Sequence, residues 1–189
     1  MTRIIAGAHG GRRLVVPAGR DTRPTSDRVR EALFSTLEST ADLDGARFAD
    51  LFAGSGAVGL EALSRGATHV LLVEAGPKAA RAARENIAAL KAASAVRLST
   101  DRVERVLGTP PDAPFDVVFA DPPYDVSDAR IDELLEALTK GWLAPGAVVV
   151  IERPTRGAAL TWPSGLTPLS VRRYGETMLW YATGNDAGR

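Results

Sequence analysis

The feature of this sequence that most constrains its fold is an alternation of short apolar segments with amphipathic segments between residues 48 and 151. The apolar segments predict parallel strands, because parallel neighbours in a sheet need long crossover connections that are usually helical. The segment 147–151 is wholly apolar, as in a strand buried on both faces of a sheet. The sequence therefore predicts a doubly wound α/β fold with right-handed crossovers. Strands are predicted at 48–52, 69–73, 96–98, 115–119 and 147–151, and helices around 60–63 and at 78–91 and 131–138.

Both ends of the chain depart from this alternation. Residues 3–19 predict a β-hairpin around a glycine-rich turn, with strands at 4–5 and 14–16, and a capped helix is predicted after residue 24. At the other end, two predicted strands at 166–171 and 178–183 would place an antiparallel strand at the sheet edge. We therefore expect an N-terminal extension over 1–40, a main domain over 41–184 and a tail over 185–189.

The amino-acid composition indicates the cellular location of the protein more clearly than it indicates the reaction. The 189 residues are 45% hydrophobic and 24% charged, as in soluble globular proteins, and the absence of cysteine excludes disulfides and thiolate metal sites. The N-terminus lacks the apolar core of a signal peptide, and the apolar run 147–151 is too short to span a membrane. We therefore expect a cytoplasmic, monomeric protein with neither a metal ion nor a membrane as partner.

Basic residues are concentrated at the N-terminus, although the formal net charge of the whole chain is zero. Arginine suits bidentate contacts to phosphate and stacking on bases, but a solvated basic surface explains the excess equally well. Only Asp21 and Asp27 oppose these arginines within the first 30 residues. The arginines are Arg3, Arg12, Arg13, Arg20, Arg23, Arg28 and Arg30.

A glycine-rich turn follows the first strand of the alternation. Gly54, Gly56 and Gly59 fit the pattern GxGxxG, and Glu74 ends the next strand, where an acidic side chain accepts hydrogen bonds from ribose hydroxyls. This pattern is typical of a nucleotide-containing cofactor. On its own it also fits a nicotinamide enzyme, or a tight turn that binds no ligand.

Asp50 favours S-adenosylmethionine over a dinucleotide. It ends the strand before the glycines, where a carboxylate can hold the cationic amino group of a methionine-like ligand. A carboxylate there would lie unfavourably beside a pyrophosphate. The sequence therefore predicts a methyl donor as the cofactor.

The segment Asp121-Pro122-Pro123-Tyr124 follows the fourth predicted strand and carries the chemistry. Ligands of open parallel sheets bind outside the carboxyl ends of the strands, so Asp121 is expected near Asp50. The amino nitrogen of a base is a poor nucleophile, because its lone pair is delocalised into the ring. Hydrogen bonds from its protons to the Asp121 carboxylate and the Pro122 carbonyl would localise that lone pair, and Tyr124 would stack on the base. A rigid loop with a buried tyrosine is the alternative.

Asp101 follows the third predicted strand and has two interpretations. Its carboxylate could accept a hydrogen bond from the adenine amino group of the cofactor, with the Arg102 backbone assisting. It could equally cap a helix.

The chain resembles the RsmD family, the bacterial 16S ribosomal RNA guanine-N2 methyltransferases, over residues 3–181. The motifs 50–56 and 121–124, with Glu74, resemble class I methyltransferases that act on amino groups. The segments 3–7, 23–34 and 174–177 narrow the resemblance, and the Arg23-Pro24-Thr25 sequence is its most specific element.

This resemblance implies a Rossmann-like class I methyltransferase fold, with a seven-stranded, mostly parallel sheet, helices on both faces and an N-terminal β-hairpin. It implies S-adenosylmethionine as the cofactor and, as the substrate, guanine 966 of 16S ribosomal RNA in the 30S subunit or an assembly intermediate. The implied catalytic residues are Asp121, Pro122 and Tyr124. Cofactor contacts are implied for Asp50, Phe52, Ala53, Gly54, Ser55, Gly56, Glu74, Ala75, Asp101, Arg102 and Asp121. RNA contacts are implied for Arg3, Arg12, Arg13, Arg23, Thr25, Arg28 and Arg30.

Three alternatives remain from the sequence. The same chemistry could act on DNA, transfer RNA or a protein amide, although amide-methylating enzymes usually carry Asn where this chain has Asp121. A nicotinamide oxidoreductase would leave the segment 121–124 unexplained. A non-catalytic RNA-binding protein would have no need of Asp50, Glu74 and Asp121 together.

Overall fold

The computed structural model describes residues 2–18 and 25–186, and within them the backbone forms nine strands and five helices. A two-stranded hairpin precedes a seven-stranded sheet. The hairpin strands are β1 (Thr2–Arg3) and β2 (Arg13–Leu14). The sheet strands are β3 (Arg47–Leu51), β4 (His69–Val73), β5 (Val96–Ser99), β6 (Phe115–Ala120), β7 (Leu143–Pro154), β8 (Leu166–Tyr174) and β9 (Thr177–Gly184). The helices are α1 (Asp27–Thr40), α2 (Ala57–Ser64), α3 (Pro77–Ala89), α4 (Val103–Leu107) and α5 (Asp128–Leu138).

The large sheet has the order β5-β4-β3-β6-β7-β9-β8. Strands β3 to β7 run parallel, and β9 pairs antiparallel with both β7 and β8. The predicted class, a mostly parallel seven-stranded sheet with an N-terminal hairpin, is confirmed. The antiparallel strand lies one position inside the edge, because the terminal β8–β9 hairpin inserts its second strand beside β7.

Helices cover both faces of the sheet. On one face, α1, α2 and α3 pack their apolar side chains on residues such as Phe48 and Val117. On the other face, α4 and α5 pack on residues such as Ala49 and Val118. Helix α1 belongs to the first of these cores through Val29, Leu33, Phe34 and Leu37, so the N-terminal extension and the sheet share one core.

Local sequence explains where α1 begins and how the hairpin pairs. The Ser26 hydroxyl accepts a hydrogen bond from the Val29 N–H at 3.3 Å, which caps α1 as the sequence predicts. The hairpin strands are shorter and pair closer to the N-terminus than expected, with Thr2 opposite Leu14. Val15 leaves the hairpin, because its N–H donates to the Asn86 side chain on α3 at 2.7 Å.

The order of the sheet reverses at β3, which lies between β4 and β6. In open α/β sheets, ligands bind in the crevice at such a reversal, outside the carboxyl ends of the strands. The turn after β3, the residue after β4 and the loop after β6 therefore meet at one edge. No helix among the described residues is long and apolar enough to cross a membrane.

Candidate active site

Two glycines shape the chain after β3, one in the turn and one in the first part of α2. Gly56 has φ +85°, in the left-handed region, at the start of α2. A Cβ on Gly59 would lie 2.3 Å from Leu72 Cδ2 and 3.3 Å from Asp50 Cβ. Helix α2 therefore lies close to the sheet, and this close approach lets the Gly59 N–H donate to Asp50 Oδ2 at 2.9 Å.

Asp50 is a buried carboxylate, only 1% exposed. Its Oδ1 accepts no hydrogen bond from the part of the chain that the structure describes, since Gly59 binds Oδ2. Burial, together with the negative charges of Glu74 and Glu152, raises the pKa of Asp50 to about 7, although the Gly59 hydrogen bond opposes the shift. Within residues 2–18 and 25–186, no cation forms an ion pair with this carboxylate.

Glu74, directly after β4, has both carboxylate oxygens bound to backbone. Oε1 accepts from the Gly54 N–H at 2.8 Å, and Oε2 accepts from the Gly76 N–H at 2.7 Å. Each oxygen keeps a second lone pair for a ligand hydroxyl. Glu74 thus fixes the turn after β3 against the turn after β4, at the position expected for a ribose-binding acid.

The loop 121–124 is fixed by Arg153, which sequence reasoning missed. The Arg153 guanidinium is buried and donates from Nη1 to the Pro123 carbonyl at 3.4 Å and from Nη2 to the Val126 carbonyl at 3.2 Å. Tyr124 is 85% exposed at the tip of the loop. The alternative of a rigid loop with a buried tyrosine is therefore wrong, and the ring lies free at the surface.

Three carboxylates lie on the same face of the sheet at the ends of adjacent strands, and we name Asp50, Asp121 and Glu152 the carboxylate edge. Asp50 pairs in register with Phe119, and Ala120 pairs with Ile151, so Asp121 and Glu152 occupy the next matching positions. Side chains alternate between the two faces of a strand. Asp121 and Glu152 therefore follow Phe119 and Val150 on the face that α1 to α3 cover.

The carboxylate edge is strained electrostatically. Burial and the charges of Glu152 and Asp50 raise the pKa of Asp121 well above its ordinary value, although Arg153 opposes the shift. Burial raises the pKa of Glu152 to about 7. Among residues 2–18 and 25–186, no ion pair joins these three carboxylates to a cation.

Thr25 connects the N-terminal segment to this edge. Its hydroxyl donates to Glu152 Oε2 at 3.2 Å, across 127 positions of sequence. The family resemblance implies an RNA contact for Thr25, and the structure places its hydroxyl against a carboxylate of the candidate active site. The segment that precedes α1 therefore borders the same crevice as the loop 121–124.

The remaining residues predicted to bind the cofactor lie on the loops around this crevice. Phe52 adopts φ +60° directly after β3, and Ala53 donates its N–H to the Val73 carbonyl at 2.9 Å. Ala75 and Asp101 are exposed on the loops after β4 and β5. Asp101 does not cap α4, because the residue before the first helical turn is Arg102 and its side chain makes no capping bond. The capping alternative for Asp101 is therefore wrong.

The hairpin is held to α2 by a buried carboxylate, in an assembly that we name the hairpin junction: Glu61 with Arg30, Arg65 and the backbone of Ile5 and Ala6. Glu61 accepts from the N–H groups of Ile5 and Ala6 at 2.8 and 3.1 Å and from Arg65 Nε at 2.9 Å. Arg30 Nη1 lies 3.8 Å from Glu61 Oε2. Helix α2, which follows the glycine-rich turn at residues 52–56 (the cofactor turn), therefore holds the hairpin.

Asn86 on α3 connects, by hydrogen bonds, the residue that follows the hairpin with the turn after β3. Its Oδ1 accepts from the Val15 N–H, and its Nδ2 donates to the carbonyls of Val15 at 2.9 Å and Ser55 at 3.0 Å. The side chain is 1% exposed. Sequence analysis missed this role, although a polar residue on the alanine-rich buried face of α3 is a usable signal.

The residues predicted to contact RNA divide into surface and buried groups. Arg3, Arg13 and Arg28 are exposed, and exposed Arg12 also donates to the Ala89 carbonyl at 2.9 Å. The prediction for Arg30 is wrong, because its side chain is 0% exposed and donates to Arg3 O at 2.7 Å and Asp27 Oδ1 at 2.6 Å. Arg23 lies outside the described residues.

The carboxylate edge fits a cationic ligand better than an anionic one. Among the described residues, only Gly59 donates to Asp50, and it binds Oδ2. Burial destabilises the ionised form of all three carboxylates, and neighbouring negative charges add to this effect at Asp50 and Asp121. A positively charged group placed among them would relieve the repulsion between these charges. A pyrophosphate would increase it, which argues against a dinucleotide in this crevice.

Comparison with known proteins places the chain among methyltransferases. The family model described as conserved hypothetical protein 95 matches residues 2–183. The chain is 38% identical over 165 residues to ribosomal RNA small subunit methyltransferase D of Escherichia coli K12, which covers 86% of this chain and 79% of that protein.

Solved structures share the fold. The structure of the Escherichia coli protein yhhF superposes with a TM-score of 0.85 at 33% identity and covers 98% of both chains. An RNA methyltransferase of Salinibacter ruber, solved in complex with S-adenosyl-L-homocysteine, has a TM-score of 0.64 at 20% identity and covers 88% of this chain and 97% of its own. The more distant likeness shows the fold alone.

Proposed function

Since the chain belongs to the RsmD family of methyltransferases, we propose that it methylates the exocyclic N2 amino group of a single guanine in small-subunit ribosomal RNA. The methyl donor is S-adenosylmethionine. The proposed nucleotide is guanine 966 of 16S ribosomal RNA, presented in the 30S subunit or an assembly intermediate. The Escherichia coli relative named above carries a small-subunit ribosomal RNA methyltransferase name, which supports this substrate.

The observation that carries the proposal is the carboxylate edge, whose three acids form no ion pair within residues 2–18 and 25–186. Asp50 and Glu74 are the residues that would hold the cofactor, through its amino group and ribose hydroxyls respectively. When bound, S-adenosylmethionine supplies an electrophilic methyl group on a cationic sulfur. The positive charges of such a ligand match the buried negative charge that the fold gathers at the ends of β3, β6 and β7.

The loop 121–124 would prepare the amino nitrogen for attack. Asp121 and the Pro122 carbonyl accept one hydrogen bond each from the two amino protons, which localises the nitrogen lone pair and aims it along the line of transfer. As the nitrogen gains the methyl group, the carbon–sulfur electrons remain on sulfur. The nitrogen then loses a proton, and the raised pKa of Asp121 suits this carboxylate to accept it.

The exposed parts of the site would hold the base and the RNA backbone. Tyr124, exposed beside Asp121, offers a ring on which an extruded base can stack. The exposed arginines of the hairpin and of α1 offer phosphate contacts that orient the enzyme without reading sequence. Arg153 holds the loop 121–124 in place while the base enters.

The test is a methyl-transfer assay with radiolabelled S-adenosylmethionine. The protein is incubated with 30S subunits that lack their natural methylations, with naked 16S ribosomal RNA and with duplex DNA. Label recovered as N2-methylguanosine from one position of the ribosomal RNA is the expected result. The variant Asp121→Ala serves as the inactive control, and Asp132→Asn on the exposed face of α5 serves as the matched surface control.

Other outcomes would overturn specific parts of the proposal. Label in DNA alone, or in protein, would contradict the proposed substrate. Label in a nucleoside other than N2-methylguanosine would contradict the proposed acceptor atom. Cofactor binding without transfer to any of these acceptors would favour a binding protein over an enzyme.

A further inference from the structure

Glu152 is a half-buried acid of the site for which the mechanism above gives no use. It occupies the end of β7, beside Asp121 at the end of β6 and on the same face of the sheet. Its side chain is held from the N-terminal segment, because the Thr25 hydroxyl donates to Oε2 at 3.2 Å. A carboxylate oriented in this way, next to the proposed acceptor of the amino protons, is placed to touch the same base.

The edge of guanine that carries the 2-amino group presents two donors side by side. The ring N1–H lies next to the 2-amino group, so both groups donate hydrogen bonds in nearly the same direction. Adenine differs, because its amino group neighbours an N1 that only accepts. A second carboxylate beside Asp121 would therefore bind guanine and repel a base whose N1 carries a lone pair.

We propose that Glu152 is a specificity-determining residue that accepts a hydrogen bond from guanine N1–H while Asp121 accepts from the 2-amino group. This proposal rests on the proposed function and deepens it by naming the part of the base that is read. Thr25 is a positioning residue here, because its hydroxyl fixes one Glu152 oxygen and leaves the other for the base.

The arrangement around Glu152 argues for the base rather than the cofactor amino group. Asp50 lies on β3 beside the glycine-rich turn, and among the described residues only Gly59 donates to it, at Oδ2. Strand β7 lies on the far side of β6. Glu152 is thus separated from the cofactor turn by the strand that carries Asp121. Its hydrogen-bond partner, Thr25, belongs to the N-terminal segment, which has the exposed arginines on either side of it.

The proposal is tested by changing N1 without removing the 2-amino group. Small-subunit particles are reconstituted with ribosomal RNA in which the target guanine is replaced by 2-aminopurine, whose N1 is an unprotonated acceptor. The measured quantity is the ratio of kcat/KM for guanine to that for 2-aminopurine. Wild-type protein is expected to favour guanine by at least about 100-fold, because a site that hydrogen-bonds a donor rejects an analogue without it.

The variant Glu152→Gln should reduce that ratio by about tenfold or more, because the glutamine amide can also donate to an unprotonated N1. Cofactor affinity, measured by calorimetry, should stay within about threefold of wild type, since Glu152 does not hold the cofactor in this scheme. The variant Glu136→Gln, an exposed acid on α5, is the matched control and should leave the ratio unchanged.

Two results would overturn the proposal. A ratio that stays at the wild-type value in Glu152→Gln would show that another group reads N1. A loss of cofactor affinity equal to the loss of turnover would assign Glu152 to the cofactor. If Glu152→Gln fails to fold, Glu152→Asp, which withdraws the carboxylate by one methylene, must lower the ratio instead. Absence of guanine methylation by wild type would refute the proposed function before the ratio is measured.

Discussion

The carboxylate edge and the hairpin junction both bury acidic side chains, but they differ in how the negative charge is balanced. Glu61 is 0% exposed and has two backbone donors, an Arg65 hydrogen bond and the nearby Arg30 guanidinium. Asp50 is 1% exposed and has one backbone donor. A buried charge with a full set of partners stabilises the fold, whereas one without them creates a place for a ligand.

The largest expected effect is on catalysis, at the carboxylate edge. Asp121→Ala should lower kcat by about 10³-fold or more, because it removes the acceptor that localises the amino lone pair. The affinity for S-adenosylmethionine should stay within about threefold, since Asp50 and Glu74 hold the cofactor. Single-turnover transfer and calorimetry measure the two quantities.

Equal loss of kcat and of cofactor affinity in Asp121→Ala would instead mean that the residue supports the architecture of the site. Asp132→Asn, on the exposed side of α5, should change neither quantity. The comparison between the two regions predicts that Asp121→Ala leaves the protein folded, because the nearby buried Arg153 keeps its hydrogen bonds to the carbonyls of Pro123 and Val126.

The next effect is on stability, at the hairpin junction. Glu61→Gln should lower the free energy of unfolding by about 3 kcal/mol, because it leaves Arg30 and Arg65 beside a neutral side chain in a buried setting. Chemical denaturation measures the change. The control Glu38→Gln removes an exposed partner of Arg65 and should cost less than about 1 kcal/mol. If Glu61→Gln lowered the free energy of unfolding as little as the control does, the contrast between the two regions would be wrong. The stability of the hairpin junction would then not depend on the charge of Glu61.

The sequence predicted the elements that depend on local pattern. The strand at 69–73 has the predicted bounds, and the cap of α1 at Ser26 follows from a serine before an apolar stripe. Asp50, Glu74 and Asp121 were expected at one edge because parallel strands end on the same side, and the structure brings them there. Glycine spacing and the common direction of parallel strands thus predicted the crevice, whereas the strand order that reverses at β3 is seen only in the structure.

The residues that sequence reasoning missed depend on contacts between distant segments. Arg30 is one of seven arginines near the N-terminus, and nothing local distinguishes it from its exposed neighbours; only the packing of α1 against α2 buries it beside Glu61. Glu152 and Arg153 directly follow the apolar segment 147–151, which is the part of β7 that the sequence predicts. Their proximity to residues 121 and 123 depends on the register of β6 with β7, which the sequence does not show. Charge pairing across more than 25 positions has no periodic signature in one sequence.

A smaller expected effect is the dependence of protein stability on pH, which should come from Asp50 at the carboxylate edge. Asp50, with an ordinary pKa of 3.8, has a pKa of about 7 in the folded protein. Between those values the folded state binds more protons than the unfolded state, so the free energy of unfolding falls as the pH rises and levels off above about 7. Asp50→Asn should therefore stabilise the ligand-free protein by about 2 kcal/mol at pH 8 and by less at pH 5.

Cofactor binding should respond in the opposite sense. The ionised form of Asp50 attracts a cation, so the affinity of wild-type protein for S-adenosylmethionine should increase as the pH rises through about 7. In Asp50→Asn the affinity should be lower, and its dependence on pH should be weaker. Calorimetry at pH 6 and pH 8 tests both statements. An Asp50→Asn variant that is less stable than wild type at pH 8 would contradict the description of Asp50 as a destabilising charge.

The smallest expected effect lies at the exposed surface that the hairpin junction supports. Arg13 is exposed on β2 and is proposed to contact phosphate, so Arg13→Glu should weaken RNA binding by about tenfold at low salt. Each lost phosphate contact lowers the slope of log affinity against log salt by about one, so the salt titration distinguishes a phosphate contact from a change in fold. Cofactor affinity should not change, because Arg13 lies outside the crevice. Lys140→Glu, another exposed cation, which follows α5 on the opposite face of the sheet, is the matched control. If both variants lost RNA affinity equally, RNA binding would depend on the overall charge of the protein and not on the hairpin. The hairpin junction would then contribute to the stability of the protein but not to substrate binding.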